Sequence, residues 1–234
     1  MKLQIPIVSC LLASLGDALE TRPKACGHFP TSIQEFTSGF QQPKPPMVKT
    51  EFQTSFIQHK WYFEYQQSQR QKCPVTDAAY HVRNANLSHV SSGYLYFSPS
   101  QKMVRADEAY EGALATSIFD YGNTTQQGLV MNTVTSYSVG SPKPSVWSGY
   151  VLSNYPLFAE DFLIKGDAVF GGLVTRNLLQ GHVASWNIMF MGSIPVTAFV
   201  DACGVLVGYD YFSPGLRTRV TTDFFNTAVG PVKI

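Results

Sequence analysis

Between Glu51 and Trp61 the side chains alternate, with Phe52, Thr54, Phe56 and Gln58 on one set of positions and Gln53, Ser55, Ile57 and His59 on the other. A period of two with aromatic and β-branched content predicts a strand. The rhythm returns at regular intervals, over 88–97, 102–108, 114–121, 128–137 and 146–152, then 168–175, 182–190, 194–201, 204–212 and 217–225. Turn chemistry separates most of these runs, as at Ser98-Pro99-Ser100, Gly192-Ser193 and Ser213-Pro214-Gly215. Short connections cannot make the crossovers of a parallel sheet, so neighbouring strands are expected to pair antiparallel. In strand 182–190, Ala184, Trp186, Ile188 and Phe190 share one face, and Val183, Ser185, Asn187 and Met189 the other.

Three stretches break the pattern. Residues 19–50 are rich in Pro, Gly, Gln and Ser and read as an extended arm. Residues 62–85 crowd Gln66, Gln67, Gln69 and Gln71 together and read as a loop inserted into a single β domain over 51–226, with 227–234 as a tail. Asn154 to Leu163 places Pro156 where a first helical turn accepts it, with Phe158 and Phe162 four apart on one face. That segment is equally readable as a short helix over the sheet or as a plain connector. An echo also stands out: Gly93-Tyr94-Leu95-Tyr96-Phe97-Ser98-Pro99 recurs as Gly208-Tyr209-Asp210-Tyr211-Phe212-Ser213-Pro214. Two hairpins solving one problem explain it more simply than a duplicated half.

The N-terminus sets the expected compartment. Lys2, a mostly apolar Leu3–Leu15 run and small residues at Gly16-Asp17-Ala18 have the layout of a secretory signal over 1–18. No later run approaches the roughly 18 apolar residues of a membrane helix. Secretion makes two N-glycosylation triplets meaningful, at Asn86 and Asn123. It also makes a disulfide the expectation for Cys26, Cys73 and Cys203, with Cys26–Cys73 preferred because both lie outside the strand-rich body. The net charge of +1 offers no electrostatic footprint for nucleic acid.

Catalytic patterns are absent. The sequence has no G-x-S-x-G, no H-E-x-x-H and no G-x-x-x-x-G-K, and its five histidines lack metal-ligand spacing. Asp107 and Glu108 are adjacent in a strand and must point to opposite faces, so they cannot both address one substrate. Asp120 and Asp210 sit in aromatic stretches, Phe119-Asp120-Tyr121 and Tyr209-Asp210-Tyr211, and if buried would need partners such as Arg105, Arg217 or Arg219. No loop has the dense alternating acids of a calcium site, and no cofactor is expected. About eleven strands carry more apolar side chains than a flat sheet facing water tolerates. Either two sheets pack face to face, or one curved sheet encloses a pocket.

Gly93 to Asp107, Ala113 to Tyr121, Trp186-Asn187-Ile188, Ile194-Pro195-Val196-Thr197 and Tyr209 to Phe225 together resemble secreted ependymin-related proteins and, more distantly, the bacterial lipoprotein carriers. The resemblance spans roughly Glu51 to Asn226. It implies a mainly β fold: a curved antiparallel sheet of about eleven strands, half-barrel or clam-like, with one or two short helices over a hydrophobic cleft. It further implies binding of a lipid or other hydrophobic small molecule, with calcium and a homodimer as associated features. The three cysteines depart from the fuller disulfide set of ependymins. On this reading Trp147, Tyr150, Phe158, Phe162, Phe170, Trp186, Ile188 and Phe190 line the cleft. The competing expectations are a secreted glycoside hydrolase using Asp107, Glu108 or Glu160, and an extracellular structural or adhesion module.

Overall fold

The computed structural model describes residues 43–62, 88–110, 113–138, 140–141, 143–214 and 217–234. The signal segment 1–18, most of the arm, the 63–85 part of the insertion, Cys26, Cys73 and Asn86 lie outside the described residues. Eleven strands form one antiparallel sheet: β1 (Phe52–Tyr62), β2 (Ser88–Ser98), β3 (Met103–Tyr110), β4 (Ala113–Thr124), β5 (Val130–Ser138), β6 (Ser145–Val151), β7 (Val169–Thr175), β8 (His182–Phe190), β9 (Ile194–Val200), β10 (Leu206–Ser213) and β11 (Thr218–Val229). Every strand expected from the alternation is there. The last runs four residues further than expected, because Phe52 of β1 pairs with Val229 at its end.

Their spatial order is β6-β5-β4-β3-β2-β1-β11-β10-β9-β8-β7. Two meanders therefore meet at the β1–β11 pair, and the sheet does not close into a barrel. The chain passes from β6 at one margin to β7 at the other through residues 152–168.

Alternation puts one face inside. Phe52 and Phe56 of β1, Leu95 and Phe97 of β2, Val104 of β3, Tyr209 of β10 and Phe224 of β11 are buried together. Phe52, Phe97 and Phe224 form a knot with ring centroids 4.9 to 5.7 Å apart. The same cluster takes in Val130 of β5 and Phe170 of β7. In a flat sheet those strands would lie roughly 40 Å apart, at ~4.8 Å per strand. Their membership in one core means the sheet curls, with this face concave.

Two glycines show where it bends. A Cβ on Gly93 would lie 1.9 Å from the carbonyl oxygen of Asp107, and one on Gly208 would lie 2.5 Å from that of Thr222. Each glycine lets its strand press onto its hairpin partner, Gly93 opposite Glu108 and Gly208 opposite Asp223. The repeated heptapeptide thus places a close-packed glycine in each half of the sheet, but its two copies bury opposite positions, Leu95 and Phe97 in the first and Tyr209 in the second.

Candidate functional site: the concave face and its connector

Residues 152–168 run across the hollow of the sheet and fill it. Tyr155, Phe158, Phe162 and Leu163 are buried in the main core cluster, with Leu157 packed against it. The Phe158 ring lies 4.5 Å from Phe162, 5.6 Å from Tyr209 and 6.1 Å from Phe190. Tyr155 meets Phe56 at 5.5 Å and Phe119 at 5.9 Å. Within the described residues the only helix is α1 (Phe162–Lys165), shorter than a helix beginning at Pro156 would be.

Hydrogen bonds hold the residues ahead of α1 to the sheet. The Tyr121 hydroxyl of β4 donates to the Tyr155 carbonyl at 2.6 Å, and the Tyr209 hydroxyl of β10 donates to the Asn154 carbonyl at 2.8 Å. The Tyr211 hydroxyl adds a bond to Asn154 Oδ1 at 3.2 Å, and the Val48 amide donates to the Glu160 carbonyl at 2.8 Å. Burial pushes the Tyr121 hydroxyl up to about 12 and that of Tyr209 well above the ordinary tyrosine value. Both therefore stay protonated donors at any physiological pH.

Glu108 supplies the charged anchor. Its Oε2 accepts from the Tyr155 hydroxyl at 2.7 Å. Burial raises the Glu108 pKa above the usual carboxylate value, while the bond from Tyr155 opposes the rise. Tyr155 itself is held well above the tyrosine range, chiefly by burial and then by the neighbouring Glu108 charge. Two polar atoms on the concave side keep unspent capacity: Trp186 Nε1 and Asn132 Oδ1 are buried without a hydrogen-bond partner.

Six of the eight residues expected in a cleft share this core. Phe158, Phe162, Trp186 and Ile188 are buried in it, and Phe170 and Phe190 pack against it. Trp147 lies on the same face of β6, because its ring covers Gly149 and Val151 beyond packs on the core, but it is 51% exposed. Tyr150 alternates to the outer face, where its hydroxyl donates to Asn123 Oδ1 at 2.8 Å. A concave site cannot include it.

The aspartates behave as structural ions. Asp210 is held by Arg176 through two bonds of 3.1 Å, and the same guanidinium donates from Nε to Asp223 at 2.6 Å. Arg176 also lies 4.0 Å over the Phe199 ring, beside a small outer cluster of Val183, Phe199 and Val207. The ion pair for Asp210 was expected from the sequence, but from Arg105, Arg217 or Arg219. Arg176 reaches it because the β7–β8 turn folds over the outer face. Asp120 instead accepts the Gly122 amide at 2.8 Å.

Candidate hydrolytic acids are not brought together. Asp107 faces outward, held by Arg105 at 2.9 Å and Thr116 at 2.8 Å, while Glu108 faces inward and Glu160 is exposed on the connector. Among the described residues no three His, Cys, Asp or Glu side chains group to hold a metal ion, and no helix is long and apolar enough to cross a membrane. Cys203, in the β9–β10 turn, is disulfide-bonded and so is not a spare thiol; its partner lies outside the described residues. An open groove of about 600 Å³ is lined largely by outward-facing residues, including Met189, Pro195, Asp210 and Phe212. It lies outside the concavity.

Sequence reasoning missed the tyrosines that hold the connector. Their signal was present in Phe119-Asp120-Tyr121 and Tyr209-Asp210-Tyr211, where the aspartates drew attention and the tyrosines bind the connector.

No protein-family model matches the chain, and no curated protein matches it. Among solved structures, the crystal structure of a DUF1329 family protein from Desulfovibrio piger is similar at 7% identity and a TM-score of 0.28, over 77% of this chain and 86% of that one. A likeness so faint carries no argument about function.

Proposed function

We propose that this is an exported protein that binds a hydrophobic small molecule or lipid on the concave face of its sheet. The observation that carries the reading is the way the hollow is closed. Among the described residues no second sheet covers it; the connector does, with Val48 beside it, presenting Tyr155, Phe158, Phe162 and Leu163 to an apolar wall. An acyl chain or a ring system offers the same wall the same kind of surface, at about 25 cal/mol per Å² buried before ordering costs. Trp186 Nε1 and Asn132 Oδ1 would meet a polar group of such a ligand. Binding then requires the connector to move, because its aromatic side chains occupy the space.

Export is supported by the N-terminal sequence pattern and by the disulfide at Cys203, which fits an oxidising compartment. Asn123 is exposed at the end of β4 and accessible to glycosylation. The test is uptake: delipidated protein is titrated with a radiolabelled fatty acid and, separately, with a sterol. Saturable, stoichiometric uptake of either is expected. Failure with both removes the reading.

A further inference from the structure

A row of side chains crosses the outer, convex face of the sheet. Trp61 of β1 pairs with Arg219 of β11, and Arg219 in turn pairs with Phe212 of β10. Tyr211 pairs with Val196, which sets Phe212 beside Pro195 of β9, and Pro195 pairs with Met189 of β8. All five point outward, since residues an odd number of positions away, such as Val220, Val196 and Ile188, are buried in the core. Phe212 and Met189 are exposed, and the Arg219 guanidinium lies 5.8 Å over the Trp61 ring. The open groove of about 600 Å³ follows this row from Arg219 to Met189. Along its side stands Asp210, held by Arg176 from the β7–β8 turn.

We propose that this row is a docking groove for a proline-rich segment of a partner protein, bound as a polyproline II helix lying across β1, β11, β10, β9 and β8. The spacing of the row selects this occupant. Strands lie ~4.8 Å apart, so Trp61, Phe212 and Met189, on every second strand, repeat at about 9.6 Å. A polyproline II helix rises about 3.1 Å per residue with three residues per turn, so side chains on one of its edges recur every ~9.3 Å. An α-helix repeats at about 5.4 Å and an extended strand at about 6.8 Å, and neither keeps step with these rungs. Pyrrolidine rings of the partner pack between the two aromatic rungs and the thioether, as such helices do in aromatic-lined grooves. Arg219 is the one charged member of the row. Charge complementarity places an acidic residue of the partner against it, near the Trp61 end, and its N–H groups can also donate to carbonyls of a backbone that has no internal hydrogen bonds. Crossing from Trp61 to Met189, roughly 19 Å, takes about seven residues of the partner.

This inference does not depend on the ligand reading, which concerns the opposite face. Its test is calorimetric titration of the full chain with a synthetic polyproline peptide long enough to span the row and carrying one glutamate. A glycine–serine peptide of the same length and charge serves for comparison. The wild type is expected to bind the proline peptide saturably and about tenfold more tightly than the flexible one, which must be ordered on binding. Phe212→Ser and Met189→Ser remove exposed rungs and leave the core untouched, so both variants should fold. Each should weaken the proline peptide several-fold. Arg219→Gln should weaken the glutamate-bearing peptide and spare its glutamine counterpart. A wild type that binds neither peptide, or both equally, overturns the proposal. So does binding unchanged in both Phe212→Ser and Met189→Ser. A chito-oligosaccharide that binds the wild type and is lost in those two variants, with the proline peptide inert, also overturns it and assigns the groove to a glycan.

Discussion

The Tyr155 hydroxyl donates a 2.7 Å hydrogen bond to the Glu108 carboxylate, tying the connector to the wall of the sheet it covers. The carboxylate is half-buried, and its pKa is raised chiefly by that burial. A raised native pKa means that the folded state holds this proton more tightly than the unfolded chain. The associated stability is complete below the ordinary glutamate value and is lost as pH rises through the raised one. Glu108→Gln, neutral throughout, removes that dependence. As pH climbs past the ordinary glutamate value, about 4, the wild type should lose stability relative to the Gln variant. Paired thermal unfolding curves over that climb check it; parallel curves would refute the assignment.

Phe158 packs against Phe190 of β8 and Tyr209 of β10, so truncating it tests whether the connector is an integral part of the fold. Phe158→Ala should cost about 3–5 kcal/mol if the walls do not collapse inward. Denaturant titration reads the loss. The same variant leaves apolar room on the concave face, so it should take up fatty acid more tightly than the wild type. A variant both stable and indifferent to ligand would contradict the placement.

Arg176 balances two carboxylates at once. Arg176→Met would leave Asp210 and Asp223 facing each other with little compensation. Both keep some access to water, which tempers the penalty for a broken buried pair to roughly 2–4 kcal/mol. Asp210→Asn added to Arg176→Met should restore part of this by removing one of the two like charges. A double-mutant cycle in urea measures the coupling.

The bend at Gly208 has a direct steric test. Gly208→Ala places a methyl 2.5 Å from the Thr222 carbonyl, and a backbone oxygen within a strand pair cannot move away cheaply. A loss of roughly 1–3 kcal/mol is expected. An alanine at Gly140, where nothing lies within 4 Å, offers a control for the chemical change, since its positive φ of 86° contributes strain but no collision. Calorimetry on the two variants separates collision from strain.

Strands were legible because each exposes one face and buries the other, and a period of two survives in the sequence. Strand 182–190 has the same ends in both readings, with Trp186 and Ile188 inward as the alternation requires. The connector was not legible in the same way. Pro156 and the Phe158–Phe162 spacing suit a helix, but the connector is held at Asn154 and Tyr155 by Tyr209 and Tyr121, which are distant in sequence. Trp147 and Tyr150 stand an odd number of residues apart on β6, so alternation allows only one of them on the concave face; the exposed pattern of this edge strand does not say which. Arg176 was missed because a turn that folds back over a sheet leaves no periodic trace.

The central claim is that an apolar ligand takes the place of residues 152–168 on the concave face. Hydrogen exchange of those residues, measured with and without saturating oleate on delipidated protein, addresses it directly. Faster exchange across the connector on ligand addition, with the strand cores unchanged, is the expected result. Saturable binding that leaves connector exchange unaltered would contradict the account and move the ligand elsewhere on the molecule.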